Sequence, residues 1–491
     1  MTRGSPRAAA ATRTGAGTDD SAPDGPADSP ANLIRGVTIV LAVVALVAGT
    51  YNLGRATFGP RLGQDFTAYY VAGKLIRAGD AERMYGTQEE FQQEADRFGV
   101  TGPAAEGDRD GRIGGNDSVE PFLYPPVAAV LLLPVTLLPL GAAKMAFLLL
   151  NLVAQFAAIA ILFADRAPPQ RRVLTVAGWV LVLALFPFFW GLYLGQANSL
   201  VFLACALALR QVRRGDQLGG GALIAVAALL KVFPVVLLGL LLLKRQYRAV
   251  AASVATMAVL SLLSLPVVGL STFRRFFTEV IPEITSRVEP FVRNQGISGT
   301  LHRLLTDNPY VRPLVDSPAL ARALGTVLSL VVVALVVWGT RRVALDRTAP
   351  RRFALEWGIW LAAAVLVSSI SWEHYSVFLL FTWLPLGELL LTSDLGRRRN
   401  QVLLAVTAGT FAIWAVLLQS GDEYDALPTG LALQPVVNAK FLATVALLAC
   451  ALVVVRTGRP EGVDRPAERP LAGTPEPAPA PLTSEPVGAR A

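Results

Sequence analysis

Long apolar runs, each about the length of a membrane span, recur throughout this chain. The runs 36–54 and 249–273 contain no charged residue, and about 20 such residues cross a bilayer core of about 30 Å. Of the 491 residues, 53% are apolar and only 16% are charged. Because a soluble protein cannot bury so large an apolar fraction, the pattern predicts an all-α, polytopic integral membrane protein.

The apolar runs predict ten crossings. They lie near 36–53, 142–164, 173–190, 197–212, 249–270, 319–339, 353–371, 375–393, 401–419 and 438–456. The proline-rich run 125–140 is expected to form a broken element embedded at the outer face, and 219–243 a short hairpin around Lys231 and Pro234. The result is a bundle of about twelve membrane helices. In the competing arrangement both runs cross once, which places six arginines outside.

Clusters of basic residues indicate the cytoplasmic side, because short basic loops stay in the cytoplasm. Five such clusters lie between apolar runs: Arg166/Arg171/Arg172, Arg210/Arg213/Arg214, Lys244/Arg245/Arg248, Arg341/Arg342/Arg347/Arg351/Arg352 and Arg397/Arg398/Arg399. The segment 55–120, in contrast, holds twelve acidic and eight basic residues, a net charge of −4, and 422–440 has a net charge of −2. We expect these two segments outside a plasma membrane.

The two ends of the chain differ from the membrane region. Residues 1–32 offer almost nothing to bury, and 457–491 hold eight prolines and no aromatic residue. Both are expected to be disordered cytoplasmic tails. The first apolar run lacks a small-residue cleavage site and is expected to remain as an anchor. The transmembrane domain then spans 33–456, with long extracytoplasmic segments at 54–124 and 271–318.

The first extracytoplasmic segment contains two predicted helices. Over 65–79, Asp65 is a favourable N-cap, Gly79 suits a helix C-terminus, and apolar and basic residues fall on separate faces. This spacing predicts an amphipathic helix that lies on the outer leaflet. A second, more acidic helix is expected over 88–98, and a mobile loop over 101–118.

The composition excludes several kinds of site. The only two cysteines, Cys205 and Cys450, lie in apolar runs, which excludes a disulfide framework and a cysteine-based metal site. The net charge of +8 comes from arginines in the loops that set membrane topology, so nucleic acid is not an expected partner. No glycine-rich phosphate loop or metalloprotease motif is present in the sequence.

Uncommon polar residues converge instead on the predicted outer face. They are Asp65, Tyr124, Gln196, Asn198, Arg293 and the only two histidines, His302 and His374. Plainer structural interpretations remain open: an N-cap for Asp65, an interfacial aromatic belt around His374, and interhelical hydrogen bonds for Gln196 and Asn198. Lys231 could snorkel to the interface, although a lysine inside a membrane is costly and usually has an anionic partner.

Several short motifs follow one another along the chain. They are Gly63-Gln64-Asp65-Phe66, Tyr69-Tyr70, Tyr124-Pro125-Pro126, Gly195-Gln196-Ala197-Asn198, Lys231-Val232-Phe233-Pro234 and Trp372-Glu373-His374-Tyr375. In their order and spacing, over roughly residues 35–455, they resemble glycosyltransferase family 87, a family of polytopic GT-C enzymes. Its characterised members are actinobacterial α-mannosyltransferases, and related ones arabinofuranosyltransferases, that use a polyprenyl-phosphate sugar at the outer face of the membrane.

The resemblance implies a GT-C-like, inverting glycosyltransferase. It would move a hexosyl residue, mannosyl in the first place, from a polyprenyl-phosphate sugar to a glycolipid or polysaccharide acceptor of the cell envelope. The family's catalytic carboxylate maps onto Asp65, which would act as the general base. His374 is the second catalytic candidate. The donor-phosphate or substrate-binding candidates are Arg293, Lys231, Tyr69, Tyr124, Gln196, Asn198 and Glu373.

The same resemblance bears on cofactors and partners. Phe66 follows Asp65, so the paired acid of some GT-C families is absent, and we expect no metal and no other cofactor. The expected partners are the lipid-linked donor, the acceptor and membrane lipid.

Three alternatives stay open at this stage. An arabinofuranosyltransferase of the same type would use the same residues on another sugar. A secondary transporter would show an internal repeat and a site at the membrane midplane, and the sequence shows no repeat. In a non-catalytic partner of an envelope-assembly complex, Asp65 would only cap a helix and would tolerate asparagine.

Overall fold

The computed structural model describes residues 63–100, 119–341, 350–393, 397–417 and 434–457, together with Leu345 and positions 39, 43, 47 and 49. This part of the chain is helical and contains no strand, which confirms the predicted all-α class. The predicted tails, apart from Thr457, lie outside the described residues. So do the loop 101–118 and all but four positions of the first crossing.

Nineteen α-helices, numbered here in chain order, form the described part of the protein. They are α1 (Phe66–Ala78), α2 (Gln88–Arg97), α3 (Pro126–Leu132), α4 (Leu140–Leu162), α5 (Pro168–Ala184), α6 (Phe186–Leu194), α7 (Asn198–Arg214), α8 (Gln217–Leu230), α9 (Val236–Leu243), α10 (Tyr247–Val268), α11 (Leu270–Arg275), α12 (Ile281–Ser286), α13 (Ile297–Leu305), α14 (Pro318–Thr340), α15 (Pro350–Val367), α16 (Leu380–Leu391), α17 (Arg398–Val416), α18 (Gln434–Val437) and α19 (Ala439–Thr457). Shorter helical segments are Ala81–Tyr85, Leu133–Leu137, Phe233–Val235 and Glu373–Leu379, which are 3-10 helices, and Phe276–Val280, which is a π-helix.

Five described helices are long and apolar enough to cross a membrane. They are α4, α10, α14, α19 and the helix that runs from Glu373 through α16. The pair α5 and α6 adds a sixth if it forms one span, although it is bent by 65° where the two helices meet. The bounds of these helices follow the predicted crossings within a few residues. By length and composition, however, the described residues supply at most six spans, so the predicted count of about twelve is not confirmed.

Helix α1 is not the surface helix that the sequence predicts. Ten of its thirteen residues are buried, because it packs inside the protein against α3 and the segment 133–137. Its polar edge is satisfied there, since Arg77 donates to the Thr136 carbonyl at 3.1 Å. The side chain of Asp65 does not cap the helix; its carboxylate is bound elsewhere, as described below. Gly79 ends α1 as predicted, with a φ of +80°.

Other predicted features of the outer segments and the membrane runs are found. The acidic helix α2 begins at a complete capping box of Thr87 and Glu90. The run 219–243 breaks at Lys231, as predicted. Its two halves are not the mutually packed arms of a hairpin, because α8 packs mainly on α7 and α10, whereas α9 packs mainly on α15.

Buried ion pairs join the helices at the ends that carry basic clusters. Arg166 donates to both carboxylate oxygens of Glu388, at 2.7 and 2.9 Å, and Arg351 lies 3.1 Å from the same carboxylate. Lys244 and Glu356 form a second buried pair at 2.7 Å. Each acidic residue therefore has a cationic partner, as buried charges require. We call these groups the inner ion pairs, after the cytoplasmic side that the sequence analysis predicts for the basic clusters.

Candidate active site

The backbone around Asp65 is bound directly to the turn that follows α6. The Gly63 amide donates to the Tyr193 carbonyl at 2.7 Å, and the Asp65 amide donates to the Leu194 carbonyl at 2.8 Å. Gly195 ends α6 with a φ of +75°, and a Cβ there would lie 2.7 Å from Cβ of Phe66. Only glycine combines this backbone conformation with so close an approach. The Gly-Gln-Asp and Gly-Gln-Ala-Asn motifs are therefore two halves of one contact.

Gln196 lies at the centre of the polar cluster. Its Nε2 donates to Asp65 Oδ2 at 2.5 Å. Its Oε1 accepts from the Tyr124 hydroxyl at 3.1 Å and from Lys231 Nζ at 3.0 Å. Because both donors require the oxygen on their side, the amide group has one orientation, which points the NH₂ group at Asp65. The second oxygen of Asp65 accepts no hydrogen bond from any described residue.

Lys231 is a buried amino group held by neutral partners. Its Nζ donates to Asn198 Oδ1 at 2.7 Å as well as to Gln196, and it lies 3.9 Å from the ring centroid of Tyr375. The side chain is in the break between α8 and the segment 233–235, and only 4% of the residue is exposed. No carboxylate of the described residues lies within ion-pair distance of it. Amide oxygens and an aromatic face thus surround the amino group of Lys231.

Aromatic side chains enclose the cluster on the side of α1. The rings of Tyr69 and Tyr124 stack with centroids 4.4 Å apart. Tyr85 donates to the Tyr124 carbonyl at 2.6 Å and fixes this loop. The hydroxyl of Tyr69 is buried beside that of Tyr124.

His374 lies beside the amide group of Asn198. The Asn198 side chain donates to the His374 carbonyl at 2.8 Å, and the histidine is buried at 3% exposure. Neither of its ring nitrogens has a hydrogen-bond partner among the described residues. The imidazole therefore keeps its full hydrogen-bonding capacity for a ligand.

The neighbouring residue, Glu373, belongs to a second group of buried charges. Its carboxylate contacts Arg293 at 2.7 Å through one oxygen and Lys440 at 2.5 Å through the other. The guanidinium of Arg293 also lies 4.4 Å from the ring centroid of Trp190 on α6. Glu373 and His374 are consecutive, so this group adjoins the Asp65 cluster through one peptide bond and through α6.

The structure thus brings all nine predicted site residues into two adjoining groups. His302 is not among them: its ring nitrogen Nδ1 contacts the Ser298 carbonyl at 2.9 Å within α13. Sequence reasoning missed Lys440 and Glu120. Both lie at the edge of an apolar segment, where a charged residue is an ordinary flanking residue. Nothing in the local sequence indicates that Lys440 binds Glu373 or that the charge of Glu120 acts on Asp65.

The pKa of Asp65 is set by competing effects. Burial raises it from 3.8 to about 7, the hydrogen bond from Gln196 lowers it, the charge of Glu120 raises it and that of Lys231 lowers it. A carboxyl group with a pKa near neutrality can accept a proton during a reaction at physiological pH. Burial also raises the pKa of Glu120. Among the described residues, no group of His, Cys, Asp or Glu side chains could hold a metal ion.

Comparison with known proteins supports the resemblance drawn from the sequence. The model of glycosyltransferase family 87 matches residues 122–369. The chain is 31% identical over 327 residues to a polyprenol-phosphate-mannose-dependent α-(1-2)-phosphatidylinositol mannoside mannosyltransferase of Mycobacterium tuberculosis, covering 63% of this chain and 69% of the relative.

Two further relatives match shorter parts. A pentamannoside mannosyltransferase of the same type, also from M. tuberculosis, is 29% identical, covering 54% of this chain and 58% of the relative. An α-(1→3)-arabinofuranosyltransferase of M. tuberculosis is 32% identical, covering 37% of this chain and 42% of the relative. No solved structure matches. Since the family model covers half of the chain and the first relative more than half, the chain belongs to glycosyltransferase family 87.

Proposed function

We propose that this protein is a multi-pass membrane mannosyltransferase that transfers mannose from a polyprenyl-phosphate donor to a hydroxyl of a glycolipid acceptor. One observation supports this most strongly: Asp65 is held by Gln196 through one oxygen, while its other oxygen takes no hydrogen bond from a described residue. A base in this position can approach an acceptor hydroxyl. The names of the two mannosyltransferase relatives supply the donor and the lipid class of the acceptor.

The proposed arrangement in the membrane follows the charge pattern of the sequence. We place the site on the outer side of the plasma membrane, opposite the five basic loops, within a GT-C-like transmembrane domain over 33–456 flanked by two tails. The outer segments are 54–124 and 271–318. About twelve helices then cross or enter the membrane, with the shorter apolar helices within 126–137, 217–230 and 233–243 supplementing the longer spans.

The proposed reaction is a direct displacement. The acceptor oxygen forms a bond to the anomeric carbon of mannose as the bond from that carbon to the phosphate oxygen breaks. The proton of the acceptor hydroxyl moves to Asp65, and the electron pair of the broken bond stays on the phosphate. Attack from the side opposite the leaving group inverts the anomeric centre. This chemistry uses no nucleotide, and we expect it to need no metal.

The leaving phosphate needs cationic and hydrogen-bonding groups. We assign them to His374, Arg293 and Lys231, which lie where the Asp65 cluster meets the group of charges around Glu373. Such groups stabilise a transition state best when they are held in place before charge develops. Gln196, Asn198 and Glu373 already bind these side chains, so they hold the site together. Tyr69 and Tyr124 border Asp65 and would contact the sugar.

Mannose is favoured over arabinofuranose by the extent of the similarity. The first mannosyltransferase relative covers 63% of the chain, the arabinofuranosyltransferase 37%. No observation favours a transporter or a non-catalytic partner.

The test uses purified protein in nanodiscs with polyprenyl-phosphate mannose and a mannosylated phosphatidylinositol acceptor. We expect transfer without added divalent metal, undiminished by EDTA, and a loss of at least about 10²-fold in turnover for Asp65→Asn. The matched control is Asp80→Asn, because Asp80 lies in the same outer segment but pairs with Arg97 at an exposed site. Near wild-type transfer by Asp65→Asn, or complete loss of transfer in EDTA, would overturn the proposal.

A further inference from the structure

The face of the protein at the C-terminal end of α10 carries a groove that the proposed reaction does not use. It has a volume of about 320 Å³ and lies between the end of α10 and the segment that starts at Leu270. One wall of the groove consists of Ser261, Leu262 and Leu265, and the other of Leu270, Phe273, Arg274 and Phe277. Between the two walls the chain turns at Gly269, which has a φ of +79°.

The second wall is one stripe that runs along α11 and into the π-helix Phe276–Val280. Residues 270, 273, 274 and 277 are spaced by three or four positions, which places them on one face. Leu270 and Phe277 are 73% and 61% exposed. Helix α10 itself buries little of its surface, so in a membrane the groove opens towards lipid.

Arg274 is the only charged residue of the groove. It is exposed and forms no ion pair with a described residue. Apolar walls beside one arginine complement a ligand that has a hydrocarbon chain and a negative charge. With the topology proposed above, α10 ends at the outer face, so Arg274 lies at the depth of the headgroups of the outer leaflet.

The groove backs onto the loop that holds the candidate active site. Phe276, on the opposite face of the same segment, packs on Tyr85 with ring centroids 5.8 Å apart. Arg275 donates to the Glu82 carbonyl at 3.2 Å. Tyr85 in turn holds the carbonyl of Tyr124, which borders Asp65. The groove is therefore adjacent to the site and separate from it.

Because the groove is separate from the candidate site, its position indicates which of the two lipid substrates it binds. The phosphate of the donor is the leaving group, so it must lie in the cluster of His374, Arg293 and Lys231. The phosphate of a phospholipid acceptor is not at the reacting hydroxyl, and it needs a cation outside that cluster. Resting on the proposed function, we infer that the groove anchors the acceptor: its acyl chain lies between α10 and α11 and its phosphate pairs with Arg274.

The test compares two acceptors in nanodiscs of uncharged lipid. One is a mannosylated phosphatidylinositol, and the other is an uncharged alkyl mannoside, which lacks the phosphate. For Arg274→Gln we expect the KM of the phospholipid acceptor to rise about tenfold, as for loss of a charge-assisted hydrogen bond, with kcat and the KM of the alkyl mannoside unchanged. Leu265→Trp, which fills the groove, should also raise the KM of the phospholipid.

Matched controls are Arg322→Gln and Leu328→Trp, at exposed positions of the lipid-facing helix α14; neither should change any KM. An unchanged KM for the phospholipid in both groove variants would disprove the anchor. So would an equal rise for both acceptors, or a rise confined to the donor. If the wild-type protein transfers mannose to neither acceptor, the proposed function itself fails, which is a different result.

Discussion

The inner ion pairs and the Asp65 cluster both bury ionisable side chains, but only the inner ion pairs join opposite charges directly. At the inner ion pairs, Glu388 contacts Arg166 and Arg351, and Glu356 contacts Lys244. At the Asp65 cluster, the buried carboxyl group and the buried amino group of Lys231 are joined only through the neutral amide of Gln196. The ring nitrogens of the neighbouring His374 have no hydrogen-bond partner among the described residues.

On the proposed function, this difference separates structural charges from functional ones. A buried carboxylate that two cationic groups already neutralise, as Glu388 is, needs no ligand, and its loss harms folding. An ionisable group held by neutral partners remains available to a substrate, although burying it without an opposite charge lowers the stability of the fold. Substitutions at these two sites should therefore have opposite effects on stability and activity.

The largest expected effect is on stability, at the inner ion pairs. Glu388→Gln leaves Arg166 and Arg351 without their shared carboxylate in a buried position, which typically costs about 3–5 kcal/mol. We expect a clearly lower thermal midpoint in detergent and normal turnover per folded molecule. A variant that folds as stably as the wild type would show that this end of the bundle is not organised by charge pairing.

The converse effect is expected at Lys231. Lys231→Met removes a buried amino group that has no ion pair among the described residues, but it leaves the amide oxygens of Gln196 and Asn198 without this donor. The free energy of unfolding should therefore fall by about 1–3 kcal/mol, less than for Glu388→Gln. Turnover should fall by about 10²-fold, as for other groups that stabilise a leaving anion. Parallel measurement of thermal midpoint and turnover checks this. A large loss of stability with normal turnover would place Lys231 with the structural charges.

A smaller effect concerns pH. Asp65 must be ionised to accept a proton, so turnover should rise with pH and reach half its maximum near pH 7, the pKa of this group. Gln196→Leu removes a hydrogen bond that favours the carboxylate, so the midpoint should move to higher pH by about one unit or less. Glu120→Gln removes a charge that raises the pKa, so the midpoint should move to lower pH. Shifts of the same sign in both variants would contradict this electrostatic account.

The smallest effect is expected for the stability of Asp65→Asn. The side chain does not cap α1, and asparagine can still accept the hydrogen bond from Gln196. We expect the free energy of unfolding to change by less than about 1 kcal/mol, although turnover is lost. Comparison with Glu388→Gln in the same unfolding assay measures the contrast directly.

The sequence was most informative where one physical quantity dominates. Apolar length predicted 249–270 and 438–456, and the structure has α10 at Tyr247–Val268 and α19 at Ala439–Thr457. The motif order also identified residues that meet in space. A shared motif reflects a shared local geometry, as at Gly63 and Gly195.

The sequence failed where a residue's surroundings come from distant segments. Helix α1 has separate polar and apolar faces, but the pattern does not say whether lipid, water or another helix covers them. Lys440 is a second example: its partner Glu373 lies 67 positions away, and neither position has a local signal for the pair. The carboxylate of Asp65 accepts a hydrogen bond from Gln196 and does not cap α1, and this contact is equally distant in sequence.

The direct contact between residues 63–65 and 193–196 has a consequence for biosynthesis. Asp65 leaves the ribosome long before its partner Gln196, which lies 131 positions later, and the contact between Asn198 and His374 spans a further 176 positions. Until His374 is made and the later helices are inserted, the carboxylate has no surroundings in which to act. On the proposed mechanism, transfer is therefore possible only after most of the chain has been made, and a chain that ends before Glu373 contains Asp65 but lacks part of the candidate site.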